Sequence, residues 1–257
     1  MGDETTAVHR LHKIYGPVVR VAPNDVDISD GEAIAPIYID KGGFVKSDCY
    51  ANFDIDGHAS IFSTLSSAYR APRAKAVMGM FSTASIRSGS DLIYGCVDKF
   101  VARLQAEAST GRPVNVLNLS RALATDAVSS YLFHKDYRGI EEKSSQLSAS
   151  PFVDTFVAFG RFFYLPNRVF LFLDWFIATF MPDKHVNDSF AAVDGFVSTL
   201  VDDTAKGTDT YQSRLLNHGI SKSETIAQCK DLIFAGTDST GMNLATICWH
   251  LSRHPEK

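Results

Sequence analysis

The chain has 257 residues, 45% hydrophobic and 21% charged, with a formal net charge of −4. That composition can build a sizeable core and excludes a mainly disordered protein. The weakly acidic balance offers no overall basic field, so a nucleic-acid partner is not expected.

The polar start, Met1 to Thr6, has no basic or apolar run and does not read as a signal peptide. Residues 17–28, PVVRVAPNDVDI, predict two short strands. Val18, Val19 and Val21 are β-branched, Pro23-Asn24 is a turn signal, and Val26 and Ile28 alternate with Asp25 and Asp27. Gly42-Gly43 and Asp54 to Gly57 read as loops. Between Gly57 and Ser90 there is no acidic residue, yet Arg70, Arg73, Lys75 and Arg87 fall there. Such an excess in an acidic chain calls for acids from elsewhere or for an anionic ligand.

Helical spacing is clear over 90–108, where Leu92, Ile93, Cys96, Val97, Phe100, Val101 and Leu104 share a stripe, with Gly111 and Pro113 as stop signals. Further helices are predicted over 116–133 (Leu119, Leu123, Val128, Leu132) and 187–205 (Phe190, Val193, Phe196, Val197, Leu200, Val201). The most apolar tract, Phe152 to Met181, is broken by Asp154, Arg161, Pro166, Asn167, Arg168 and Asp174. Its clean pieces fall well short of the roughly 20 apolar residues of a spanning helix. None of the cysteines (Cys49, Cys96, Cys229, Cys248) stands at metal-site spacing, so no metal ligand is expected among them.

Ser221 and Glu224 form a capping-box pattern, and a helix is predicted from there to about Ser252, ended by His254-Pro255. At 1.5 Å per residue it is about 45 Å long, the length of a central helix packed on all sides. Its middle, Ala235-Gly236-Thr237-Asp238-Ser239-Thr240, is small and polar. Small residues admit close approach of another body, hydroxyls can bond back one turn, and an interior Asp needs hydrogen bonds. The competing reading is that Asp238 and the hydroxyls face water while the glycines only let helices pack.

AGTDST at 235–240 resembles the A/G-G-x-D/E-T-T/S motif of the cytochrome P450 family, the haem-thiolate monooxygenases. WHLSRHPEK at 249–257 looks like the exit of that family's I helix. HRLHKIYGPVVRVAPNDVDIS at 9–29 is similar to the opening helix and first hairpin of fungal members, and YRAPRAKAVMGMFS at 69–82 to their C helix. The resemblance implies a mainly α fold with a small N-terminal β-hairpin. It further implies a single partial domain over 1–257, an incomplete cytochrome P450 fold ending just after the I helix.

Residue by residue, it implies that Ala235 and Gly236 are the small pair beside the haem. Asp238 matches the acidic residue that helps carry protons toward the iron. Ser239 stands where threonine is usual, keeping the hydroxyl without the methyl that constrains it. Thr240 matches the last position. In the C helix, Arg70 and Ala74 take the places of the two propionate-holding residues, and Arg73, beside the departure at Ala74, is expected to substitute for it. The expected catalytic pair is thus Asp238 and Ser239, with Arg70, Arg73, Ala235, Gly236 and Thr240 at the cofactor.

The implied chemistry is oxidation of an apolar small molecule by O2, in fungal secondary metabolism. The implied cofactor is haem b, with electrons from NADPH through a separate reductase. The implied place is the cytoplasmic face of the endoplasmic reticulum, where the Phe156–Phe180 tract would roof the substrate channel and touch the membrane surface; no transmembrane anchor is visible. The family's Phe-x-x-Gly-x-x-x-Cys-x-Gly loop and Glu-x-x-Arg pair do not occur in these residues, so no thiolate ligand is expected from them. The competing readings are an inactive truncated remnant binding a partner or membrane through open apolar faces, and an unrelated helical binding protein.

Overall fold

A computed structural model describes residues 3–40, 43–143, 147–205, 207–254 and 256. Gly42 of the expected loop and Pro255 of the expected helix stop lie outside the described residues. The chain packs as two compact units, Met1–Lys46 and Ser47–Lys257.

In the first unit, helix α1 (Glu4–Tyr15) leads into an antiparallel hairpin of β1 (Val18–Ala22) and β2 (Asp25–Ile28). Val18 faces Ile28 and Arg20 faces Val26, with an irregularity before Ala22 pairs with Asp25. The predicted strands are both present, but their alternation buries little: only Val19 is buried and every β2 residue is exposed. His12 ties helix to hairpin through Nε2, 2.6 Å from Asp27 Oδ1, while Nδ1 lies 2.9 Å from the Gly16 carbonyl. Those acceptors, Asp27 foremost, raise the imidazole pKa above its ordinary value.

The second unit is helical. Its elements are α2 (Ser67–Val77), α3 (Thr83–Ser88), α4 (Ser90–Ser109), α5 (Val116–Val128), α6 (Ser150–Phe159), α7 (Asn167–Phe180), α8 (Lys184–Asp202), α9 (Tyr211–Asn217) and α10 (Lys222–Arg253). The caps are chemical. Asn115, Asp183 and Ser221 each accept a backbone N–H of their own first turn. Gly111, in the left-handed region at φ +66°, follows the end of α4 as its sequence position predicts.

The core gathers Phe100, Phe133, Phe152, Val193, Val197, Leu215, Cys229 and Ile233, with α10 packed chiefly on α5 and then α8. Rings carry α6 into it: Phe152 meets Phe190 edge-on at 4.9 Å, and Phe156 lies 4.7 Å from Phe234.

The long helix departs from expectation at both ends. The capping box is half made. The Ser221 hydroxyl accepts the Glu224 N–H at 3.2 Å, but the Glu224 carboxylate turns to Arg73 and Tyr69 instead of back to Ser221. Nor is the helix packed on all sides. Its first half is buried, whereas Met242, Ile247, Trp249 and Leu251 stand exposed among the described residues. No helix among the described residues is long and apolar enough to cross a membrane.

Candidate functional site

The segment 235–240 sits where α10 crosses α5. A Cβ on Gly236 would lie 2.6 Å from Val128 Cγ2. One on Gly241 would lie 2.6 Å from Arg121 Cγ and 3.1 Å from both Arg121 Cα and N. Both glycines therefore serve helix packing, offsetting their cost of about 1 kcal/mol each in a helix interior. The two differ in what yields: a valine methyl at Gly236, backbone at Gly241. Gly241→Ala is expected to lose about 1–2 kcal/mol net, overpacking outweighing the propensity gain. Gly236→Ala is expected to lose less, and urea midpoints for the two variants check the order.

Between the glycines the helix divides into two faces. Thr237 is fully buried, its Oγ1 2.8 Å from Thr125 Oγ1. Because the Thr125 hydroxyl donates to the Arg121 carbonyl at 2.9 Å, Thr237 donates to Thr125. Ala235, Ser239 and Thr240 lie on the exposed side. The Ser239 hydroxyl bonds back to the Ala235 carbonyl at 2.9 Å, as expected of a helical serine. Ser239 and Thr240 border a shallow groove with Asn243, Leu244 and Ile247.

Asp238 lies at the boundary. Arg121 Nη2 donates to its Oδ1 at 2.7 Å, and Arg121 Nη1 donates to Asp154 Oδ1 at 2.8 Å. The arginine side chain is only 5% exposed, against 26% for Asp238 and 57% for Asp154. Burial works to lower the guanidinium's pKa, but the bonds from Asp238 and Asp154 outweigh it and leave it raised. Its Nε is buried with no hydrogen-bond partner among the described residues. Asp238 is therefore not a free surface carboxylate; a buried cation on α5 fixes one of its oxygens. Sequence reading missed Arg121, which stands inside the apolar spacing of the 116–133 segment.

The two C-helix arginines part company. Arg73 reaches the first turn of α10, its Nη2 donating to Glu224 Oε2 at 2.9 Å and its Nε to Oε1. The Tyr69 hydroxyl lies 2.7 Å from Glu224 Oε1, and the guanidinium stacks 3.4 Å from the Tyr69 ring centroid. Desolvation and the Glu224 bond push the Tyr69 phenol up to about 12. Glu224 precedes Ser239 by fifteen positions, about 22 Å along the helix axis. The structure thus joins Asp238 with Arg121, Thr237 and Thr125, and joins Arg73 with Glu224. The partner of Arg73 in the acid-free stretch is an acid from elsewhere in the chain; Arg70, Lys75 and Arg87 remain exposed.

The open side of the helix offers small side chains and two hydroxyls, none of them an iron ligand. Ala235, Ser239 and Thr240 are small enough for a flat group to approach. Two of the thiols are poor ligands as placed: Cys229 is wholly buried, which pushes its pKa well up, and Cys96 is also buried and raised. Among the described residues, no group of three or more His, Cys, Asp or Glu could hold a metal ion.

The family model described as Cytochrome P450 matches residues 3–257. The chain is 38% identical to "Cytochrome P450 monooxygenase mfmF" of Annulohypoxylon moriforme, over 98% of this chain and 55% of that protein. It is 25% identical to "Benzoate 4-monooxygenase bphA" of Aspergillus niger, over 99% and 55%. A crystal structure of a cytochrome P450 (CYP102L1) shares the fold at a TM-score of 0.69 and 12% identity, covering 93% of this chain and 56% of that one. The chain spans about half the length of the curated relatives it matches.

Proposed function

This chain belongs to the cytochrome P450 family, and from that premise we propose that it supplies the oxygen-facing wall of a monooxygenase acting on an apolar small molecule, within one domain to which residues 1–257 contribute. The family implies haem and a redox partner; the finer reading is haem b, with electrons from NADPH through a separate reductase. Haem, when bound, supplies an oxygen-activating iron. What the residues of this chain do can be stated without it.

The observation that carries the proposal is the pairing of an open small-residue strip with a carboxylate held from behind. Ala235 and Ser239 share the exposed side, one turn apart. Asp238 is gripped through Oδ1 by Arg121, leaving Oδ2 without a partner among the described residues. Oδ2 is then the atom at which a proton is taken from water and passed on, the Ser239 hydroxyl joining the relay by turning from the Ala235 carbonyl it bonds, with Gly236 and Thr240 flanking the strip. Of the two C-helix arginines, Arg70 has the exposed guanidinium suited to a propionate. Arg73 braces the helix that carries Arg70. The exposed apolar row Leu171, Phe172, Trp175 and Phe180 on α7 supports contact with a lipid surface, in keeping with the endoplasmic reticulum face expected of the family.

The test is the reduced, CO-bound absorption spectrum of a protein that joins this chain to the family's cysteine loop. A thiolate-type Soret band is expected there and not from residues 1–257 alone. In the joined protein, Asp238→Asn should keep that band and cut turnover by about a hundredfold. A joined protein that folds and shows no such band overturns the proposal.

A further inference from the structure

Within the 47–257 unit, the 51–57 loop and helices α6 and α7 border a partly open cavity of about 340 Å3. Six phenylalanines line it: Phe53, Phe156, Phe159, Phe163, Phe170 and Phe190. They meet in pairs, Phe53 with Phe163 at 4.5 Å, Phe159 with Phe170 at 5.8 Å and Phe156 with Phe190 at 6.4 Å. Three carboxyls reach the same space, Asp54, Asp56 and Asp174, and neither Lys nor Arg lines it.

Two of the three are already engaged. Asp54 Oδ1 accepts from the Ser63 hydroxyl at 2.7 Å. Asp56 Oδ2 accepts from Lys230 Nζ at 2.6 Å, and the same ammonium lies 2.5 Å from Asp194. Asn52 is spent as well, donating to the Phe163 and Leu165 carbonyls at 2.7 and 2.9 Å. Asp174 alone of the three carboxyls has no hydrogen-bond or ion-pair partner among the described residues. Asp174 is an exposed residue at the rim of the cavity, and the partial desolvation it meets there raises its pKa above the ordinary carboxylate value.

A cavity walled by phenyl faces with one unanswered carboxyl has a definite complement. Aromatic faces and a carboxylate both attract an ammonium group, and the rings also accept the apolar body that carries it. An anionic ligand would meet repulsion from Asp174 and no compensating cation on the wall. We infer that this cavity takes an apolar molecule bearing a basic nitrogen, with the nitrogen seated at Asp174. That this molecule is the substrate rests on the proposed function; that it binds does not, since no cofactor takes part in the contact.

The test is calorimetric titration of the 257-residue chain with 4-phenylbutylamine, 4-phenylbutan-1-ol and 4-phenylbutyrate. The amine is expected to bind about tenfold more tightly than the alcohol, and the carboxylate most weakly. Asp174→Asn should erase the amine's advantage while leaving the alcohol's affinity in place, which shows that the cavity is intact. Asp174→Glu should retain the advantage. Equal binding of amine and alcohol, an advantage that survives Asp174→Asn, tightest binding of the carboxylate, or no binding of any probe would each overturn the inference. None of these results depends on haem, so the monooxygenase reading stands or falls separately, on the CO spectrum of the joined protein.

Discussion

Replacing Arg121 with alanine is expected to destabilise the helical unit by about 3 kcal/mol, the range for breaking a buried ion pair from one side. The guanidinium is the point where three helices meet: α5 carries it, α6 offers Asp154 and α10 offers Asp238. Its stem also fills the space against Gly241. Arg121→Met separates the two contributions. It keeps the stem and discards a costly buried charge, so much of the stability should return while Asp238 stays unanchored. Asp154→Ala removes the more exposed partner and should cost only about 0.5 kcal/mol, because water screens that half of the bridge. Chemical denaturation of the three variants measures the series. A loss below about 1 kcal/mol in Arg121→Ala would show that the bridge is screened throughout and does not organise the crossing.

The second large effect lies at the start of α10. Glu224 is only 10% exposed and Arg73 13%, and Glu224→Gln is expected to cost about 3 kcal/mol at neutral pH by leaving the guanidinium without its counter-charge. The effect has a pH signature. Burial pushes the Glu224 carboxyl up, but the bonds from Arg73 and Tyr69 prevail and bring it below its ordinary value of 4.5. A lowered folded-state value means stability that is fully present above 4.5 and is lost as pH falls through that lowered value. Urea midpoints of the parent and Glu224→Gln should therefore differ at pH 7 and converge as the solution is acidified past that point. Parallel curves would mean that Glu224 contributes packing alone.

Periodicity disclosed the helices that bury one face. The apolar stripe of 90–108 became α4, that of 187–205 became most of α8, and Ser221 marked the start of α10. The 116–133 prediction ran through α5 into a wider turn at Ser129–Phe133. The same logic could not resolve α6 and α7. Their sequence is apolar almost all round, so no face stands out until the fold decides that Phe152 goes inward and Trp175 outward.

The motif at 235–240 announced small residues and a carboxylate but not what holds them. Arg121 lies 117 positions from Asp238 and 33 from Asp154, and within a helical stripe an arginine looks like the solvent side. The C-helix arginines were legible as a cluster, not as individuals. Only the tertiary placement of Glu224 distinguishes Arg73, which it claims, from Arg70, which has no such partner among the described residues. Glu224 itself was read as half of a helix cap, since a local pattern gives no sign that a residue 151 positions away will claim its carboxylate.

Arg121 answers to two masters. Thr155, Phe156 and Phe159, which border the phenylalanine cavity, sit on the same short helix as Asp154. The wall of the cavity and the outer arm of the fork are thus carried by one helix, and Asp154 and Asp238 share one guanidinium, so the helix that frames the cavity is tied to the long helix by a single side chain.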